Sequence, residues 1–326
     1  MKNVILILIL ISVFSCQEDI KNVKTSGPVF GTSYSIIYNA KPSTNYQKQF
    51  DSLFSVINKS MSNYQSDSDI SKLNRNEDVN VDSHFITVLT ASKKISNETD
   101  GVFDPTIGKL VNAWDFGSEK NEAKLDSIKI DSLMQFVGLE KMKLSGNKVL
   151  KEESRSYIDF NAIAKGYGID VIAEFLEREN INNYLVEIGG EVRAKGINLE
   201  KNSEWRVGLQ DPNFNGETSY SKSIPLKDAS MATSGTYRKF KIDENGNRYA
   251  HIINANTGYP TKTNVLSVSV IAANCMLADG YATAFQAMGI EKVKDFLSNH
   301  PELKVYFIFE NENKAFETLA LNGFPQ

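Results

Sequence analysis

Asp279 and Thr283 lie four residues apart in Ala278-Asp-Gly-Tyr-Ala-Thr283, directly after the apolar run Val265-Leu-Ser-Val-Ser-Val-Ile-Ala-Ala273. If the run is a strand and the next segment a helix, residues at this spacing share one helical face. A carboxylate and a hydroxyl then point together near the helix N-terminus. Two hard oxygens placed that way can hold Mg²⁺, which takes its remaining ligands from water and from a substrate phosphate. The spacing also has a plainer explanation. Asp in a first turn complements the helix dipole, and Thr within a helix bonds back to a carbonyl. Alone, the pair favours the plainer explanation.

A phosphate partner is suggested by Tyr157-Ile-Asp-Phe-Asn-Ala-Ile-Ala-Lys-Gly-Tyr-Gly-Ile-Asp170, which reads as strand, turn and the start of a helix with Tyr167, Val171 and Phe175 on its buried face. Asp159 and Lys165 bracket the junction. Either they form a surface ion pair, worth little, or Lys165 meets a phosphate at a helix start whose backbone N–H groups already favour an anion. The histidines are His84, His251 and His300, too few for a His-rich zinc site. His84 and His300 read as surface residues. His251 precedes the turn Asn254-Ala-Asn-Thr-Gly-Tyr-Pro260 and sits near the Asp279/Thr283 pair in sequence. The chain has no Gly-x-x-x-x-Gly-Lys-Ser/Thr loop, no Gly-x-Gly-x-x-Gly and no His-Glu-x-x-His, so the commonest phosphate and zinc signatures are absent.

These residues need a scaffold. Gly31 to Tyr38 alternates as a first strand. From Gln47 to Met61, apolar residues at Phe50, Leu53, Phe54, Ile57 and Met61 mark an amphipathic helix. A second helix is expected over Phe85 to Ile95. Between the two runs a polar, turn-rich stretch from Met61 to Asn74, with Tyr64 isolated in it. Asp100 to Gly117 is punctuated by Gly101 and Pro105 yet carries Phe103, Trp114 and Phe116. Such a loop either folds back on the core or walls a pocket for a flat ligand. Further strands are expected at Tyr184–Ile188, Trp205–Leu209, Ser230–Thr233, Tyr237–Ile242 and Tyr249–Ile253, with Val305–Phe309 closing the fold. Strands and helices mix without regular βαβ alternation, which argues for an α+β domain of mixed or antiparallel sheets with packed helices.

The ends and the composition bound the setting. Met1-Lys-Asn is followed by an apolar stretch too short to span a bilayer comfortably, and Val13-Phe-Ser-Cys16 has the pattern of a bacterial lipobox. The expectation is a signal peptide over 1–15, a lipidated Cys16, a polar tether over 16–26 and a single folded domain over 27–326. An ordinary signal peptide with a coincidental cysteine ranks second. The other cysteine is Cys275, so lipidation of Cys16 leaves no intramolecular disulfide, and the core must stabilise the domain. Net charge is −4 with no basic stripe, which argues against nucleic acid as a partner.

Together the pieces form an ordered set: Phe-Asp-Pro-Thr at 103–106, Asp159 with Ala-Lys-Gly at 164–166, Glu-Ile-Gly-Gly-Glu at 187–191, Thr-Ser-Gly at 233–235, His-Ile-Ile with Thr-Gly-Tyr-Pro at 251–260, and Ala-Asp-Gly-Tyr-Ala-Thr at 278–283. In this order they resemble the ApbE family, and the resemblance runs from about Gly27 to the end of the chain. It implies an ApbE-type, T-fold-like domain and transfer of FMN from FAD to a Thr or Ser hydroxyl of an acceptor protein, with AMP released. It assigns Asp279, Thr283 and the main-chain carbonyl of Ala162 to Mg²⁺. Phe30, Tyr64, Val102, Phe103, Asp104, Asp159, Lys165 and Ile253 are assigned to FAD, and Ala282 to the metal region. Phe30 stands where many members have Met. Lys165 would add to charge stabilisation, and His251 is the candidate general base. The implied acceptor is a redox-complex subunit with an Asp-x-x-Ser/Thr-Gly-Ala-Ser/Thr type motif, and the implied location is the periplasmic side of a bacterial membrane, the inner one expected, through the lipid on Cys16. The rival readings are a Mg²⁺-dependent FAD pyrophosphatase yielding FMN and AMP, a non-catalytic FAD-binding lipoprotein and an exported structural lipoprotein.

Overall fold

The structure, a computed structural model, describes residues 19–119, 125–210, 220–236, 240–242 and 248–326. Cys16 and the expected leader lie outside the described residues. No described helix is long and apolar enough to cross a membrane.

The described chain opens with a hairpin of β1 (Lys21–Val29) and β2 (Thr32–Ala40). Its two-residue turn, Phe30 and Gly31, has φ of +47° and +75°, the positive pair that suits the twist of a hairpin. The stretch expected as a tether is thus strand from Lys21 onward. Its polarity misleads because β1 is an edge strand, with Lys21, Lys24 and Ser26 turned to solvent.

Helix α1 (Gln47–Met61) buries Phe50, Phe54, Ile57 and Met61, as its spacing requires. The polar stretch after it is not all irregular: α2 (Asp69–Asn74) forms there, capped by the Ser68 hydroxyl. Next comes α3 (Ser83–Glu98), longer than expected because the Asp82 carboxylate caps its start. Two short helices, α4 (Gly108–Ala113) and α5 (Ser127–Met134), and the hairpin β3 (Met142–Ser145) and β4 (Lys148–Lys151) lead to α6 (Ala164–Arg178).

Strands β5 (Tyr184–Ile188) and β6 (Glu191–Lys195) are joined by Gly189 and Gly190, both at positive φ, a conformation that only glycine adopts twice running at little cost. A small sheet follows from β7 (Ile197–Asn198), β8 (Ser203–Gln210) and β9 (Tyr220–Leu226). After β10 (Ala229–Gly235) and the pair β11 (Phe240–Ile242) and β12 (Arg248–Ala250), the chain forms β13 (Val265–Ala272), α7 (Cys275–Met288), α8 (Ile290–Leu297), β14 (Lys304–Glu310) and β15 (Phe316–Leu321).

The main sheet runs β1-β2-β5-β6-β10-β13-β14-β15, with every neighbouring pair antiparallel. The expected α+β class is observed. Every residue of β13 is buried, because this central strand is covered on both faces. Val268, Val270 and Ala272 join a core with α1, α3 and α7, while Leu266 and Ile271 join a second core with Trp205, Val207 and Ile224 of the small sheet. The layers are therefore helices, main sheet and small sheet. Helices α6 and α7 lie side by side on the main sheet, which brings the 164–166 and 279–283 segments together.

Candidate active site

The two helices meet at Gly166. Its N–H, in the first turn of α6, donates to Asp279 Oδ2 of α7 at 3.0 Å. No side chain at the expected N-cap position serves α6, so a carboxylate from the neighbouring helix does so, where the helix dipole favours negative charge. The approach needs glycine: a Cβ at Gly166 would sit 2.3 Å from the Cys275 carbonyl oxygen and 2.9 Å from Asp279 Cβ. The start of α7 is pinned as well. Asp170 accepts from the Cys275 and Met276 N–H groups at 2.9 and 2.8 Å, and the Asn274 side chain accepts from Leu277 N. Asp279 is thus fixed from both sides and is only 6% exposed. Thr283, one turn later in α7, is half-buried, as is Ala162, two residues before α6.

Lys165 is the second residue of α6, as expected, but its partner is not Asp159. Its Nζ bonds Glu191 Oε1 at 2.5 Å, and Glu191 is delivered there by the Gly189–Gly190 turn as the first residue of β6. Asp159 instead accepts from Asn161 N at 2.8 Å. The charges respond to one another. Burial pushes the Asp279 carboxyl up to about 7, Glu191 adds to the rise, and Lys165 and the Gly166 N–H oppose it. Burial alone would lower the Lys165 ammonium, yet Glu191 and Asp279 outweigh it and leave its pKa raised. Lys165 is a cation throughout the physiological range.

The 100–117 loop lies beside this junction. Asp159 N donates to Pro105 O at 2.8 Å, and Gly108 lies so close to Tyr157 that a Cβ would approach its ring to 2.5 Å. The two explanations of the loop divide between its residues. Phe103 joins the helical core, whereas Trp114 and Phe116 stay half-buried and face the 251–260 segment. Trp114 Nε1 donates to Gly258 O at 2.9 Å, and the Phe116 and His251 rings are 6.3 Å apart. Ile253 bridges Pro260 across the turn and is buried. Val102 and Asp104 are buried too. Both carboxylate oxygens of Asp104 are already engaged: Oδ1 accepts from the Thr106 N–H and hydroxyl, each at 2.7 Å, and Oδ2 from Leu139 N at 2.9 Å. This carboxylate shapes the loop. Tyr64, by contrast, is 65% exposed. Its neighbour Asn63 donates to Ile158 O, as does Asn74, so Tyr64 stands over the 157–161 segment, where Asp159 and Asn161 act on its phenol. Phe30 reaches the other side of α6, its ring against Gly168 and edge-on to Phe54 at 5.6 Å.

Two expectations need correction. His84 and His300 are not plain surface residues: His84 Nδ1 lies 2.8 Å from the Tyr167 hydroxyl, and His300 stacks on Phe296 at 4.1 Å. Glu191 shows no sign of a role in the sequence; its pairing with Lys165 is seen only in three dimensions.

No group of three or more His, Cys, Asp or Glu side chains fit to hold a metal occurs among the described residues. A hard cation suits the donors that are present, namely the Asp279 carboxylate, the Thr283 hydroxyl and a main-chain carbonyl, with water supplying the rest. Next to them Glu191 Oε2 is buried without a hydrogen-bond partner, an acceptor suited to such water.

The ApbE family model matches residues 30–307. The chain belongs to the ApbE family. Its relatives include a FAD:protein FMN transferase of Haemophilus influenzae, 34% identical over 99% of this chain and 96% of that protein. One of the same description from Vibrio cholerae is 37% identical over 85% and 84%. Among solved structures, the flavin transferase ApbE from Vibrio cholerae superposes with a TM-score of 0.83, at 34% identity, covering 92% of this chain and 97% of that one.

Proposed function

We propose that the protein transfers FMN from FAD to a Thr or Ser hydroxyl of an acceptor protein and releases AMP. The observation that carries this reading is the α6/α7 junction, where a lysine at a helix start and a buried carboxylate of hard-ligand type meet. Kinship with proteins described as FAD:protein FMN transferases supports it.

In this reading Tyr64, Phe30, Val102, Phe103 and Ile253 hold the flavin and its nucleotide, Asp159 orients the ligand beside Tyr64, and Asp104 acts by holding the loop in shape. Lys165 neutralises charge on the pyrophosphate, where a fixed cation in a site of low dielectric is worth far more than in water. The acceptor oxygen attacks the phosphorus of the FMN half. A new O–P bond forms, the pyrophosphate P–O bond breaks, and AMP departs with its electron pair. His251 takes the hydroxyl proton, as an imidazole can near neutral pH. Asp279, Thr283 and the Ala162 carbonyl hold Mg²⁺, which supplies charge stabilisation at the pyrophosphate. The placement that follows from the sequence is a lipoprotein anchored through Cys16 with its domain on the periplasmic side.

The test is chromatography of the products from FAD and Mg²⁺, with and without a protein bearing the Asp-x-x-Thr-Gly-Ala-Thr type motif. Transfer releases AMP with no matching free FMN once the acceptor is present. Equal free FMN and AMP under both conditions would make the protein a pyrophosphatase, and intact FAD would make it a carrier.

A further inference from the structure

Glu191 carries a question that the flavin-transfer reading does not answer. It is a nearly buried carboxylate, 5% exposed, with one oxygen on Lys165 Nζ and the other buried and unpartnered. A buried ion pair satisfies its remaining lone pairs when it exists only for stability, because an orphaned carboxylate oxygen is costly. Asp279 and Glu187 both lie in electrostatic reach, and Glu191 and Lys165 act on each of them. Counted as ions, Lys165 against the carboxylates of Glu187, Glu191 and Asp279 leaves two net negative charges, a balance that attracts a cation. Were Glu191 neutral, the anion acting most strongly on the Lys165 ammonium would be Asp279, and the ammonium would compete for the oxygens that a metal needs.

We infer that Glu191 is a positioning residue of the cation site: it holds the Lys165 ammonium away from Asp279, and its second oxygen accepts a hydrogen bond from water on the bound ion. This rests on the Mg²⁺ clause of the proposed function and extends it to a residue outside the Asp279, Thr283 and Ala162 set. Outer groups of this kind commonly change metal affinity by about 10–100-fold when removed. Two variants separate the effect from plain structural support. Glu191→Gln keeps the shape, loses the charge and releases Lys165. Lys165→Met breaks the same ion pair but leaves both carboxylates in place.

The experiment is Mn²⁺ binding to the full-length protein without FAD, read as free Mn²⁺ by electron paramagnetic resonance. Wild type, Glu191→Gln, Lys165→Met and Asp279→Ala are compared, with folding checked by circular dichroism. The expected result is a Kd raised at least ~10-fold in Glu191→Gln, unchanged or lowered in Lys165→Met, and binding lost in Asp279→Ala. Wild-type affinity in Glu191→Gln would overturn the inference while leaving the metal site standing. An equal loss in Lys165→Met and Glu191→Gln would also overturn it, reducing the ion pair to structural support. If the wild type binds no Mn²⁺, or Asp279→Ala binds it unchanged, the metal reading falls and this inference with it.

Discussion

Asp279 anchors the α6/α7 junction. Its Oδ2 closes the start of α6 through Gly166 N–H, and its burial beside Glu191 lifts its pKa to about 7, so a cation at this point would relieve an otherwise costly charge. Helical spacing put Asp279 and Thr283 on one face and Lys165 at a helix start, whereas the resemblance to the ApbE family, not the spacing, made the pair a candidate metal site. Spacing could not show that the anion at that start is Asp279, because the bond joins positions 113 residues apart. Nor could it show that Asp104 is turned inward. That arrangement sets an expectation: Asp104→Ala removes three hydrogen bonds to a buried carboxylate and costs about 2–3 kcal/mol. Urea denaturation measures it. A stability unchanged from wild type would mean that the loop does not depend on this clamp.

At the level of elements, the site depends on how closely α6 and α7 approach. Gly166 permits that approach, and Gly280 packs against Ile95, where a Cβ would come within 2.4 Å of its Cδ1. Gly166→Ala is expected to push the helices apart, costing about 1–3 kcal/mol as overpacking, and to weaken Mn²⁺ binding at the same time because Asp279 moves with α7. A thermal melt and a Mn²⁺ titration on one preparation check both, and full retention of both would show that the helices can part without moving the carboxylate. The long elements were readable: α1 has the predicted bounds, and β5, β13 and β14 lie where apolar runs stand. The short helices α2 and α4 were hidden inside segments read as loops, since a six-residue helix displays less than two turns of period. β1 was hidden by its solvent-facing lysines, and β15 by three exposed residues in succession, Phe316, Glu317 and Thr318.

For the molecule as a whole, the sheet begins at Lys21 and not at Gly31, which fixes how much chain separates the fold from Cys16. β1 pairs with β2 from Lys21 to Val29, and Asn22 also bonds Asn39, Asn198 and Glu200. Deleting residues 1–18 should leave Tm within about a degree, whereas deleting 1–26 removes most of β1. At roughly 0.2–1 kcal/mol per cross-strand pair the second deletion costs a few kcal/mol, enough to lower Tm by roughly 5 °C. Identical melting of the two would return β1 to the status of a tether.

Flavin transfer itself is tested most directly by intact-mass spectrometry of an acceptor protein incubated with this protein, FAD and Mg²⁺. The expected result is an acceptor heavier by one FMN less water, with the increment absent when EDTA is added and absent with Asp279→Ala. An acceptor of unchanged mass while FAD is consumed, or one labelled equally by Asp279→Ala, would contradict it.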